Sequence, residues 1–530
     1  MAIKRYVANA DNTITNAFDP DLQTRATGAN MGYSDIVETF SIYGRQATSS
    51  VELQRILMKF PVNSIVTDRN NGDIPASGSV NFVLRLYNAP HSKTVPEDYA
   101  LTVEPISTDW QEGTGLDMET YKDLTKGNKG SNWMSASKTA PWTKTGGDYI
   151  STANAAYPYR WYTQSFATGL EDMEVDITGL VELWAAETIS NYGVGIHLTG
   201  TYEGYYDRSE DGTYEGWNQN TTGSTISYYT KRFFGRGTQY FFLKPTIEAR
   251  WDSARRDQRG DFYYSSSIAP LNDNVNTLFL YNYIRGALSD IPGHGSGDAI
   301  YVSLYSGSAD NSEPSGSAIE LPTVLPRTTV SEINPYVVTA SWVSTGIYQA
   351  TFACTSAAAP LTKLFDVWHD GSGYNKPHAS VEYATSSFVP THFSASQTIT
   401  KPVHYLNITN LRDLYRSDET ARFNLFVRNK YWEPTIYTVA NTSVESTTIQ
   451  SASYRVFRLM DAYEAVPYGT GSDLHTGLSY DISGNYFDFD MNLLQPGYAY
   501  GFKFSFYDPS LNTWSEQRQT FKFRVEDYEY

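Results

Sequence analysis

Apolar and polar residues alternate with a period of two along much of this chain. Residues 80–87 (VNFVLRLY) put Val80, Phe82, Leu84 and Leu86 on one face. Residues 346–354 (GIYQATFAC) do the same with Tyr348, Ala350, Phe352 and Cys354. Near the C-terminus the faces are aromatic: Tyr498, Tyr500, Phe502, Phe504 and Phe506, then Phe521, Phe523 and Val525. Such alternation predicts half-buried antiparallel strands. Turn-rich pieces separate them, namely residues 68–73 (DRNNGD), Gly371-Ser372-Gly373 and Ser483-Gly484-Asn485. Helical spacing is scarce. Ile177, Leu180, Val181, Trp184 and Thr188 predict one helix within residues 176–190, behind Asp and Thr caps. Asn410 and Asp413, spaced like a capping box, predict a second short helix over residues 409–418. A mainly β chain with few short helices fits jelly rolls and sandwiches.

Length and composition refine this picture. At 530 residues the chain suits about three or four domains. A charged stretch at 250–261 and a Ser/Thr-rich one at 394–402 mark two boundaries. The first 35 residues are polar and Asn/Thr-rich, and read as an extended arm. The expected order is therefore an arm (1–35), a larger β-domain (36–262) and two segments of immunoglobulin size (263–395 and 396–530). Aromatic residues make up 15% and charged ones only 18%, which excludes a disordered chain. The net charge, 40 − 58 = −18, repels phosphate and argues against nucleic acid as a partner. Cys354 is the single cysteine, so neither a disulfide framework nor a Cys-based zinc cluster can form. The N-terminus (MAIKRYVANA) has a basic pair but no apolar run after it, unlike a secretory signal. No apolar run of about 18 residues predicts a membrane helix.

Several groups invite a chemical reading. Asp109, Glu112 and Asp117 surround Trp110, as an acid/base pair for glycoside hydrolysis would; the competing reading makes Trp110 core and the carboxylates a turn. Asp207, Ser209 and Asp211 open like a calcium loop, but Asn218 stands where a bidentate Glu is needed, which favours a solvated acidic loop. His369 and His378 lie in no metal-binding spacing and read as satisfied core or loop histidines. Residues 293–297 (GHGSG) lack the lysine of a phosphate loop and read as a turn. No GxSxG elbow is present, and no cofactor is expected. Arg250, Arg255, Arg256 and Arg259 form the one dense basic group, read in so acidic a chain as an interface salt-bridge cluster. Tyr157, Tyr159, Trp161 and Tyr162 form one aromatic run. Tyr202, Tyr205, Tyr206, Tyr214 and Trp217 form another, in a Gly- and Asp-rich loop that is hard to bury. The second run is the preferred contact element, for a protein interface or a sugar ring.

Residues from about 36 to 250 resemble the DNRLRE family of jelly-roll-like β-domains, found in microbial surface proteins and phage particles. The matching pieces occur in the family's order: residues 52–60 (ELQRILMKF), 79–87, 99–115 (YALTVEPISTDWQEGTG), Gly146-Gly147-Asp148, and 175–198 (VDITGLVELW through NYGVGIHL). The family's signature near the domain end is altered, and residues 209–237 look like an insertion. Residues 229–251, 342–352, 480–490 and 521–525 are also similar to structural proteins of marine tailed phages, notably cyanophages. The resemblance implies a non-enzymatic virion component of the tail, baseplate or neck, assembled in the host cytoplasm and released by lysis. Its partners would be other virion proteins and copies of itself, with no nucleic acid and no membrane. The arm would dock on a neighbour. The alternative is a glycan-binding adhesin or fibre module that contacts a host surface glycan.

Overall fold

The computed structural model describes residues 2–42, 51–91, 94–116, 130–151, 158, 161–205, 220–266, 274–307, 314–321, 335–355, 363–371, 381–391, 403–433, 436, 446–469, 473–509 and 511–528. The chain is mainly β and divides into two compact units, Ala2–Asp252 and Ser253–Tyr530.

In the first unit two antiparallel sheets share one core. The smaller has the order Ile3–Val7, Thr246–Arg250, Asn81–Leu86, Met173–Asp176. The larger runs Tyr228–Phe234, Ile36–Ile42, Glu52–Lys59, Val194–Leu198, Tyr99–Pro105, Tyr162–Phe166, with Ala10–Thr15 added on Glu52–Lys59. Val80, Phe82, Leu84 and Leu86 all enter the core, as their alternation predicts, beside Ile56, Met58, Val103 and Ile196 of the facing sheet. The expected helix forms over Thr178–Ala185 and buries Leu180, Val181 and Trp184. The Asp176 carboxylate accepts from the Thr178 N–H at its start (2.9 Å). Residues 68–73 are only half a turn. A helix over Val62–Asn71 runs through Asp68, with Val62 and Ile65 buried one turn apart, and Gly72 ends it at φ +80°.

The first 35 residues are not an arm. Residues Ile3–Val7 pair with Thr246–Arg250, and Ala10–Thr15 pair with Glu52–Lys59 along their whole length. Asp11, Asn12, Thr13, Ile14 and Thr15 are all buried. Their polarity misleads because each side chain has a defined partner rather than water. Asn12 Nδ2 donates to the Ser131 carbonyl (2.9 Å) and hydroxyl (2.8 Å), and its Oδ1 accepts from Met31 N–H (2.9 Å). Thr15 Oγ1 donates to the Leu53 carbonyl (3.0 Å).

In the second unit, Tyr283–Ile284 and Ala287–Leu288 form a two-stranded ribbon, and the other described strands of 263–395 join one seven-stranded antiparallel sheet. Its order is Asn276–Tyr281, Ile347–Phe352, Val338–Ser344, Ala299–Gly307, Lys363–His369, Glu382–Phe388, with Ser315–Ala318 on Ala299–Gly307. Tyr348, Ala350, Phe352 and Cys354 point into its core together, as expected. The described residues of 396–530 carry two sheets, one of four strands and one of six. Between them rings interlock: Phe423 and Phe487 from the first meet Tyr454, Phe502 and Phe523 from the second, with centroids 4.4 Å apart for Tyr454–Phe487 and 4.9 Å for Phe423–Phe502. Residues 409–418 are not helical. Leu414–Arg416 is a strand parallel to the end of Phe521–Glu526. The Asn410 side chain bonds Asn424 N–H (2.9 Å) and the Arg422 carbonyl (2.7 Å), so it extends a ladder instead of capping a helix.

Candidate functional site

The structure ties several of the groups nominated by sequence into local contacts, and others lie outside the described residues. Trp110 is core, 4% exposed, with its indole N–H on the Tyr192 carbonyl (2.8 Å). Asp109 pairs with Lys59 (2.5 Å), while Glu112 forks onto Arg236 (2.8 and 3.0 Å). Each carboxylate thus serves a local ion pair, and Asp117 lies outside the described residues. His369 is fully buried: Nδ1 accepts from Gly371 N–H and Nε2 meets the Ser303 hydroxyl, both at 3.0 Å. Cys354 is buried, and burial pushes its thiol up to about 12. His378, the calcium candidates Asp207, Ser209 and Asp211, and the contact candidates Tyr206, Tyr214 and Trp217 lie outside the described residues, as do Tyr157 and Tyr159. Among the described residues no group of three or more His, Cys, Asp or Glu is placed to hold a metal, and no helix is long and apolar enough to cross a membrane.

The arginines do not act as one interface cluster. Arg250, in the first unit, is buried and bonds Glu248 (2.6 and 3.0 Å) and Glu174 (2.5 Å). Arg259, in the second, bonds Asp366 (2.6 Å) and Asp257 (3.0 Å). Arg255 and Arg256 are half-buried in a segment that bonds the strand Ser479–Asp481. The reason is strand alternation, which turns Arg250 onto the same sheet face as Glu248 two residues before it. Tyr202 is also more structural than expected: it packs edge-on against Tyr229, 5.1 Å between centroids, at the margin of the core. Tyr205 is half-buried, with its N–H on the Ser224 carbonyl (2.7 Å).

Around Glu112 the chain also buries a titratable group. Asp11 Oδ2 accepts from the Arg236 backbone N–H (2.5 Å), and its Oδ1 has no hydrogen-bond partner. Burial pushes this carboxyl up to about 7, against the Arg236 contacts and with the Glu112 charge. The folded value lies above the unfolded one, about 3.9. Its stabilising effect is therefore complete at acid pH and lost as pH rises through about 7. Asp11→Asn is expected to stabilise the first unit at pH 8, by at most ~4 kcal/mol, and to change little at pH 4. Urea unfolding at the two pH values measures the difference; an equal change at both would show that ionisation of Asp11 plays no part.

One constellation escaped the sequence. Three neighbouring strands, Glu52–Lys59, Val194–Leu198 and Tyr99–Pro105, bring Arg55, His197 and Glu104 onto one sheet face, and Glu203 follows the second of them. All four are more than nine-tenths buried. Arg55 forks onto Glu203 (3.1 and 3.3 Å) and donates to the Gly146 carbonyl (3.2 Å). His197 stands between the carboxylates: Nδ1 is 3.6 Å from Glu203, and Nε2 is 3.6 Å from Glu104. Burial alone would raise the Glu104 carboxyl, but its contacts with His197 and the Arg55 charge hold it below the usual carboxylate range. Beside this group lies a cleft of about 630 Å³, lined also by Gly147, Tyr149, Asn220 and Trp161. The Gly146-Gly147 turn forms a wall. Both glycines take positive φ, and a Cβ on Gly147 would sit 2.4 Å from the Tyr149 hydroxyl. The available signal was ionisable residues set in three largely apolar runs (ELQRILMKF, YALTVEP, VGIHL); strand pairing, which unites them, is not written locally.

No family model matches the chain, and no curated protein matches it. Among solved structures it is similar to titin domains z1z2 in complex with telethonin (13% identity, 48% of this chain, 90% of that one, TM-score 0.13). It is also similar to the N-terminal Ig1-2 module of the Drosophila receptor protein tyrosine phosphatase DLAR (8%, 48% and 91%, TM-score 0.14). A third is the Yersinia pseudotuberculosis adhesin InvE (9%, 51% and 56%, TM-score 0.14). Likeness at these scores carries no argument about what the chain does.

Proposed function

We propose that the chain is a non-enzymatic structural component of a tailed-phage virion, in the tail, baseplate or neck, acting through contacts with other virion proteins and with copies of itself. In this reading the first unit is a DNRLRE-like jelly roll, and immunoglobulin-like sandwiches follow it. The observation that supports it most is where the nominated chemistry goes. Asp109, Glu112, His369 and Cys354 are all spent on internal pairs or buried in cores. What the chain builds instead is sheet, with interlocked aromatic layers and buried ion networks, which suits persistence outside cells without disulfides. Density-gradient fractionation of a phage lysate, with mass spectrometry of the particle band, tests the proposal. The chain is expected with intact particles at a fixed small-integer stoichiometry. Recovery as free protein, or with cell envelopes, would overturn it.

A further inference from the structure

We infer that the cleft beside Arg55, Glu104, His197 and Glu203 binds a carbohydrate, taking a neutral pyranose with Trp161 as its stacking platform and Glu104 as its hydroxyl acceptor. The site goes beyond the virion reading and does not depend on it. Its volume, about 630 Å³, falls in the range of small-ligand sites. Trp161 lines the cleft yet is 46% exposed, in a chain whose Trp110, Trp133, Trp142, Trp184 and Trp368 are buried. An exposed indole at a polar cleft offers the flat apolar surface that the C–H face of a sugar ring covers.

Glu104 supplies the second, independent observation. It is 7% exposed, and no hydrogen bond of normal length reaches its carboxylate among the described residues. An ionised carboxylate is acceptor-only, so a ligand that fills this site must donate. Cations, hydroxyls and neutral N–H groups, such as the acetamido N–H of an amino sugar, can all donate. Lys144 on the lining disfavours a cation, while Thr102, Thr199 and Asn220 add the neutral donors and acceptors that a polyhydroxylated ring needs. Arg55 is already committed to Glu203, which leaves Lys144 alone to meet an acidic sugar. That asymmetry favours neutral sugars. His197 acts as a positioning residue: its Nδ1 lies 2.8 Å from the Leu198 carbonyl, and the opposite nitrogen faces Glu104. Arg55 holds Glu203 in an ion pair, which leaves Glu104 as the carboxylate that accepts from the ligand.

The test is a glycan array with the full chain, presenting neutral and uronate-containing oligosaccharides, followed by saturation-transfer NMR on the best neutral hit. Binding of at least one neutral glycan is expected. Trp161→Ala should weaken it at least tenfold without lowering the melting temperature, because that side chain is half in solvent. Glu104→Gln should weaken it while its far-UV spectrum stays native. Absence of any neutral-glycan signal would overturn the inference. So would binding that survives Trp161→Ala, or binding to uronates alone that is lost in Lys144→Ala.

Discussion

Glu248→Gln is expected to destabilise the first unit by ~3–5 kcal/mol, the scale for breaking a buried ion network from one side. Glu248 is 1% exposed on the strand Thr246–Arg250, and three guanidinium groups converge on it. Arg5 approaches at 2.8 Å, Arg85 at 3.2 Å and Arg250 at 2.6 Å. Arg250 also holds Glu174. Neutralising Glu248 removes the carboxylate that all three guanidinium groups share. Glutamine keeps the size and the acceptor oxygen, so the loss reads charge rather than volume. Burial opposes ionisation here, but the charges of Arg85, Arg5 and Arg250 overcome it and hold the carboxyl well below its ordinary value. A lowered folded pKa gives stability that is present above the unfolded value, about 4.3, and lost as pH falls toward the folded one. Urea unfolding at pH 7 measures the first effect, and the same titration near pH 3 should show a smaller gap between variant and parent. An unchanged midpoint at pH 7 would mean the network adds nothing net, as replacing whole buried ion pairs sometimes does.

Strand faces were legible wherever one side is apolar. Val80, Phe82, Leu84 and Leu86 were read as one face and lie in one core, because period-2 alternation records burial directly. Trp184 and its helix were legible for the same reason at period 3.6. What failed were places where polar side chains replace apolar ones in structural roles. Asn410 looked like a cap and works as a ladder partner. Arg250 looked like an interface and sits opposite its own strand's glutamate. The cleft failed for a different reason. Arg55, Glu104 and His197 are far apart in sequence, and only the pairing of Val194–Leu198 with both Glu52–Lys59 and Tyr99–Pro105 joins them. Non-local pairing leaves no local trace, so ionisable residues in largely apolar strands are all that can be seen beforehand.

The N-terminal strands make the sharpest contrast with expectation. A polar arm predicts that truncation costs assembly and spares the fold. The structure predicts the reverse order of damage: a chain beginning at Asn16 should fail to form a stable first unit. Truncation removes Ile3, Tyr6 and Ile14, each 5% exposed or less. At ~1.5–3 kcal/mol per buried side chain of this kind, their loss comes to ~5–9 kcal/mol. That rivals the whole net stability of an ordinary domain, ~5–15 kcal/mol. Strand Thr246–Arg250 becomes an open edge, Glu52–Lys59 loses its partner of six residue pairs, and Glu248 loses Arg5. Met31 and Ser131 lose their anchor on Asn12, and Asn30, which donates to the carbonyls of both Ser131 and Glu112, passes the loosening to the loop that carries Glu112 and Gly113. Limited proteolysis with mass spectrometry reads this directly. Cleavage sites should open across residues 16–252 in the truncated chain and stay closed in the full one. A truncated chain whose first unit remains resistant, with its unfolding midpoint intact, would restore the arm and show that these buried pairs add little to the fold.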